Sequence, residues 1–143
     1  MSAEQNAALV RRYFEECVSG ARGPEQRHAI ALVDDLMTPD FVMFYNNDTD
    51  AQATRGRELH KAFLVEHAAN FPDDHWTIEA LIADEDTAAC LWRIQSSHAK
   101  TGNAIDVRAA DFYRFRDGRL EEMRRFLDFK SLGRQTRPSD GQR

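Results

Sequence analysis

Cysteine is scarce in this chain. The two present, Cys17 and Cys90, stand far apart, with no CxxC and no Cys/His cluster at ligand spacing. A disulfide framework and a zinc site are therefore not expected, and the pair reads as two buried, reduced thiols. Basic charge is in deficit: 19 Lys and Arg face 24 Asp and Glu, for a net charge of -5. Nothing in that balance draws the surface towards phosphate backbones, so nucleic acid is not an expected partner. Long apolar runs are missing too. The opening residues, MSAEQNAALVRRYFEEC, are polar and acidic, which predicts neither a signal peptide nor a membrane span and leaves a cytoplasmic location by default. No internal repeat is visible.

What remains is ordinary globular composition, 42% hydrophobic and 30% charged over 143 residues, enough for one sizeable core. We read residues 1–134 as a single domain and 135–143, which are polar and contain Pro and Gly, as a flexible tail. Leu9, Val10, Tyr13, Phe14, Cys17 and Val18 share one face of a helix over Ala3–Ser19, with Arg11, Arg12, Glu15 and Glu16 opposite. Gly23-Pro24 introduces a second helix with Ile30, Leu32, Val33, Leu36 and Met37 as its stripe, stopped by Thr38-Pro39. Phe41–Tyr45 is a short apolar strand, Asn46–Gly56 a loop, and Leu59, Phe63 and His67 mark a third helix. Strands follow: one from His75 with Trp76, Ile78 and Ala80 on one side, then Ala88–Ser97, Ala104–Phe115 and Arg119–Leu127. Asp117-Gly118 is a strong hairpin signal between the last two. Helices first and an antiparallel meander last is an α+β order. Three helices over the concave face of a bent four-stranded sheet would leave an internal pocket.

Alternation in the third of these strands puts Val107, Ala109, Asp111, Tyr113 and Phe115 on one side. A lone carboxylate in that row either resists ionisation and serves as a proton donor or acceptor, or is satisfied by a neighbouring arginine. The last strand offers one, since either Arg124 or Arg125 must point inward. Such a guanidinium would pair with Asp111, bind a ligand oxyanion, or snorkel to the rim. Trp92 supplies pocket wall beside Cys90, Ile94 and Ser96. His98 is either an acid/base group at the pocket mouth or the cap of a turn. The other four histidines, His28, His60, His67 and His75, have no partner at informative spacing and read as surface or core filler. Tyr13 lies on an apolar helix face where its phenol can donate to a ligand or simply pack. Tyr45, Asn46, Asn47 and Asp48 form a polar cluster where a pocket wall would end.

The run Ala110-Asp111-Phe112-Tyr113-Arg114-Phe115-Arg116-Asp117-Gly118-Arg119-Leu120, in this order of elements, resembles the superfamily of ketosteroid isomerases, limonene epoxide hydrolases and SnoaL-like polyketide cyclases. The likeness covers Leu9 to about Leu132. It implies a cone-shaped, cystatin-like α+β roll of the nuclear-transport-factor type, with a curved, mostly antiparallel sheet wrapped around N-terminal helices and a pocket inside. Asp111 and Tyr13 resemble the isomerase's oxyanion-hole pair, although Tyr45 stands where its general-base aspartate should be. Tyr45 and Asn47 resemble the water-holding Tyr-x-Asn of the epoxide hydrolase, whose Arg-x-Asp and final aspartate are here Trp92, Ile94 and Arg125. His98 and Gly102 resemble the His-x-Gly hairpin of the cyclases.

The resemblance implies a small-molecule isomerase, cyclase or lyase (dehydratase) acting by proton transfer on a carbonyl-bearing hydrophobic substrate, without metal or organic cofactor. Asp111, Tyr13, Tyr45, Arg125 and His98 would be its catalytic residues. Asn47, Trp92, Tyr113, Phe63, Phe115 and Met123 would contact substrate. The alternative is a non-catalytic ligand-binding or dimerisation module. Phe112 and Phe126 on the outer sheet face suggest a homodimer.

Overall fold

The computed structural model describes residues 2–138. Helix α1 (Ala3–Arg12) begins at a capping box, in which Gln5 N–H donates to Ser2 Oγ and Ser2 N–H donates to the Gln5 side chain. Its register then widens into a π-type turn over Tyr13–Val18, where Ser19 N–H reaches back to Phe14 O. The second predicted helix is two shorter ones, α2 (Gln26–Ala31) and α3 (Val33–Leu36). Met37, expected in its stripe, instead starts strand β1 (Met37–Tyr45), and Pro39 falls where β1 pairing is irregular. Strand β2 (Thr54–Arg55), helix α4 (Arg57–Asn70), strands β3 (His75–Ala83), β4 (Thr87–Ser97), β5 (Ala104–Arg116) and β6 (Arg119–Leu127), and helix α5 (Phe129–Gln135) complete the chain.

The sheet has six strands, not four, in the order β2-β1-β6-β5-β4-β3. All neighbours are antiparallel except β1 and β6, which run parallel. Two one-residue bulges bend it. One lies between Ile78 and Ala80, and it replaces Ala80 by Leu81 on the inner face behind Trp76 and Ile78. The other lies in β6, where Glu121 has no partner across from β5. The turn joining these strands has positive φ at Asp117 (51°) and Gly118 (77°), the backbone that a two-residue hairpin with the right twist requires.

The inner face carries Cys90, Trp92, Ile94, Val107, Ala109, Tyr113, Leu120 and Met123, all buried against the helices. Buried Asn6 ties α1 to the sheet by donating to Asp84 O at 2.9 Å. Gln135, where the tail was expected to begin, closes α5 and is anchored: Asp106 N–H donates to its side chain at 2.8 Å. Residues 139–143 of that tail lie outside the described residues. Among the described residues, no helix is long and apolar enough to cross a membrane.

Candidate functional site

Strand pairing sets four side chains in a row across the inner face. Tyr45 on β1 lies opposite Arg125 on β6, Arg125 opposite Asp111 on β5, and Asp111 opposite Cys90 on β4. Directly opposed residues on one face have Cβ atoms roughly 4.5–5.5 Å apart, so arginine and carboxylate meet without strain. Arg125 Nε and Nη2 donate to the two oxygens of Asp111, each at 2.8 Å, a bidentate fork. The Tyr113 hydroxyl donates to Asp111 Oδ2 at 2.6 Å. Asp111 is 0% exposed and Arg125 3%. Of the two readings of Asp111, the structure has the carboxylate satisfied by an arginine.

Burial alone would push the Arg125 guanidinium down, but the charge and hydrogen bonds of Asp111 hold it well above its ordinary value. Arg125 also lies over the Trp92 ring, 4.8 Å from its centroid. Its third nitrogen, Nη1, makes no bond to Asp111. Tyr45 is beside the guanidinium; burial raises its phenol, and the cation opposes that rise.

Arg125 and Tyr45 form the polar end of a cavity of about 180 Å³. Phe63 and His67 from α4, Trp76, Trp92 and Val107 from the sheet, and Phe129 and Leu132 from α5 supply most of the remaining wall. Four expected site residues therefore come together here: Tyr45, Arg125, Trp92 and Phe63. Asp111 and Tyr113 stand beneath Arg125 without lining the cavity, and Phe115 and Met123 do not line it either. Asn47 is exposed, whereas its neighbour Asn46 is structural, its side chain exchanging two 2.9 Å hydrogen bonds with the Leu127 backbone. His98 caps the β4–β5 turn, with Nδ1 3.0 Å from Thr101 Oγ1, and its ring lies 5.8 Å from that of Phe71 at the cavity edge.

Tyr13 is fully buried, and its hydroxyl is hydrogen-bonded to His60 Nε2 at 2.9 Å instead of facing the cavity. Burial, with the Arg125 charge adding, pushes His60 down to about 3, so it is a neutral core group. Burial likewise raises the Cys17 and Cys90 thiols to about 12, which makes them poor nucleophiles.

Sequence reasoning missed His67. Its ring lines the cavity, and its Nε2 lies 2.9 Å from Asp74 Oδ2. The same oxygen accepts from Arg22 Nη2 at 2.7 Å. A usable signal was present: His60, Phe63, His67 and Phe71 recur at helical spacing on one face, so His67 sits within an inward-facing stripe.

Fold and site together define an α+β roll of the nuclear-transport-factor-like class, with its polar groups at one end of an aromatic cavity. The SnoaL-like domain matches residues 10–123, and the chain belongs to that family. No curated protein matches the sequence. Similar solved structures include a candidate SnoaL-like polyketide cyclase from Jannaschia sp. CCS1, with TM-score 0.80 at 23% identity over 95% of each chain. Bal32a, from a soil-derived mobile gene cassette, gives 0.74 at 19%, covering 94% of this chain and 98% of the other. An epoxide hydrolase of the limonene type from M. tuberculosis gives 0.69 at 15%, covering 93% and 92%. At such identities the likeness is one of fold.

Proposed function

We propose that this protein is a small-molecule isomerase, cyclase or lyase that moves a proton on a compact, mostly apolar carbonyl compound. The observation that carries this reading is the Arg125 guanidinium, held by Asp111 on one edge and set beside Tyr45, at the end of a cavity otherwise walled by rings and aliphatic chains. Because Asp111 already balances the arginine, an uncharged oxygen suits the site better than a carboxylate, whose burial would leave one negative charge in excess. As a neighbouring C–H is deprotonated, charge gathers on that oxygen, and the fixed donors interact with it more strongly than with the ground state. Asp111 then holds the guanidinium in place and leaves proton transfer to another group.

Size narrows the substrate. A cavity of about 150 Å³ holds benzene, so about 180 Å³ suits one ring with a short substituent, or a chain of similar bulk. The second reading, a binding module without catalysis, is favoured by the complete satisfaction of Asp111. Exposed Phe112 and Phe126, with rings 6.1 Å apart on the outer sheet face, support a homodimer; a particle of 16.4 kDa by light scattering would refute it.

The test uses cyclohexanone and its hydrocarbon counterpart methylcyclohexane. Fluorescence of Trp76 and Trp92, the chain's two tryptophans, reports binding. The ketone should bind more tightly than the hydrocarbon, and Tyr45→Phe should shrink the difference. Equal affinity for both compounds would refute the proposed oxygen site. Ketone binding without any exchange of its α-protons into deuterium oxide would favour the binding module.

A further inference from the structure

The proposed chemistry needs a base, and Asp111 is occupied. On α4, His67 is packed among Phe63, Phe71 and Trp76 with ring centroids 6.0, 5.0 and 5.4 Å away, and it lines the same cavity as Arg125. Asp74, whose side chain is 0% exposed, holds the ring through Oδ2. Arg22 holds Asp74 in turn and is itself fixed by donating to the carbonyls of Val18 (2.5 Å) and Phe71 (3.4 Å). A carboxylate only accepts, so Nε2 carries an N–H, and in the neutral ring the lone pair is then on Nδ1. Nδ1 has no hydrogen-bond partner among the described residues. The chain Arg22–Asp74–His67 thus fixes one tautomer of a histidine in the wall of an aromatic cavity, which is the arrangement of base and orienting group used in proton-transfer enzymes.

We propose that His67 is the general base for the reaction proposed above, with Asp74 and Arg22 as positioning residues; this assignment rests on that functional reading. Nδ1 takes a proton from the carbon next to the carbonyl. The C–H electron pair becomes the new C–C π bond, and the carbonyl π pair moves to oxygen, where Arg125 and Tyr45 hold the enolate. The imidazolium, steadied by Asp74, returns the proton to a different carbon of a conjugated system, completing an isomerisation. Return to the original carbon gives exchange with solvent. No oxidant, reductant or co-reactant enters the balance.

The experiment incubates the protein in deuterium oxide with cyclohexanone, cyclohexenone and acetophenone. Binding is followed by tryptophan fluorescence and α-deuteration by proton NMR, against free imidazole as the background. Wild type should accelerate exchange above that background. His67→Gln should bind the ketones as the wild type does yet lose about 100-fold or more of the exchange rate. His67→Phe, which keeps the aromatic packing, serves if the glutamine variant folds poorly. Asp74→Asn should slow exchange and shift the His67 ring away from the Nε2-protonated tautomer in nitrogen NMR, with Asp74→Glu restoring part of both. Exchange undiminished in His67→Gln overturns His67 as base and leaves the functional reading standing, whereas binding without exchange in the wild type overturns both in favour of the binding module. Absence of binding overturns both.

Discussion

Replacing Asp111 with alanine would leave the Arg125 guanidinium buried and without its counter-ion. The two 2.8 Å hydrogen bonds from Arg125 are each worth about 1.5–3 kcal/mol when one partner is charged. Their sum, about 3–6 kcal/mol, brackets the roughly 3–5 kcal/mol observed when one side of a buried pair is removed. The Trp92 ring under the guanidinium recovers a part of this. A loss near 4 kcal/mol is therefore expected. With a urea dependence of about 2 kcal/mol/M, the unfolding midpoint should fall by about 2 M. Replacing the whole group by apolar side chains, as Asp111→Leu with Arg125→Met and Tyr113→Phe, removes the unpaired charge and the orphaned hydroxyl together. That variant should unfold within about 1 kcal/mol of wild type, or later. Urea titrations followed by circular dichroism measure both. A cost below about 1 kcal/mol for Asp111→Ala, or a triple variant as weak as the single one, would refute a desolvated, mutually dependent pair.

His60 makes a separate prediction about acid. Its unfolded value is 6.5, and in the fold burial and the Arg125 charge bring it to about 3. Between these values the unfolded chain binds a proton that the native chain does not. Its contribution is therefore complete above pH 6.5 and drains at about 1.4 kcal/mol per pH unit as pH falls towards 3. Urea midpoints taken from about pH 6.5 down to 5, above the range in which carboxylates titrate, should decline more steeply in wild type than in His60→Phe with Tyr13→Phe; equal slopes would refute the assignment. Deleting Glu121 should leave the Asp111–Arg125 pairing in register, because Glu121 has no partner and its neighbours are already paired on either side of it. Its exposed contact with Arg116 is worth little, so the cost should be about 1 kcal/mol or less; loss of cooperative unfolding would show that the bulge itself is required.

Much of the architecture was legible. Two stripes of helical period, a chain of alternating strands and the Asp117-Gly118 turn identify the α+β order, and alternation alone puts Asp111 and Tyr113 on one face with Val107 and Ala109. The choice between Arg124 and Arg125 was not legible. With Leu120 inward, strict alternation points Arg124 inward; the unpaired Glu121 reverses the parity and selects Arg125. A bulge has no reliable mark in a single sequence. The same physics put Leu81 where Ala80 was expected. Pairing of β1 beside β6 could not be read because it joins segments from opposite halves of the chain. The His67–Asp74 contact spans a helix end and a loop, so no fixed spacing announces it.

Helix α5 has a consequence for traffic to and from the interior. It contributes Phe129 and Leu132 to the chamber wall, yet none of its residues is itself buried. Its attachment is mainly polar: Asn103 donates to the carbonyls of Gln135 and Arg137, and Gln135 clasps the Asp106 backbone. Swinging this segment aside would exchange a few protein hydrogen bonds for water, uncover Leu132 and part the Phe129 ring from Tyr45, still a smaller cost than parting any central strand. Of the elements around the cavity this segment is thus the one whose displacement would cost least, and the guanidinium and its carboxylate partner, held in the strands behind, would not move with it.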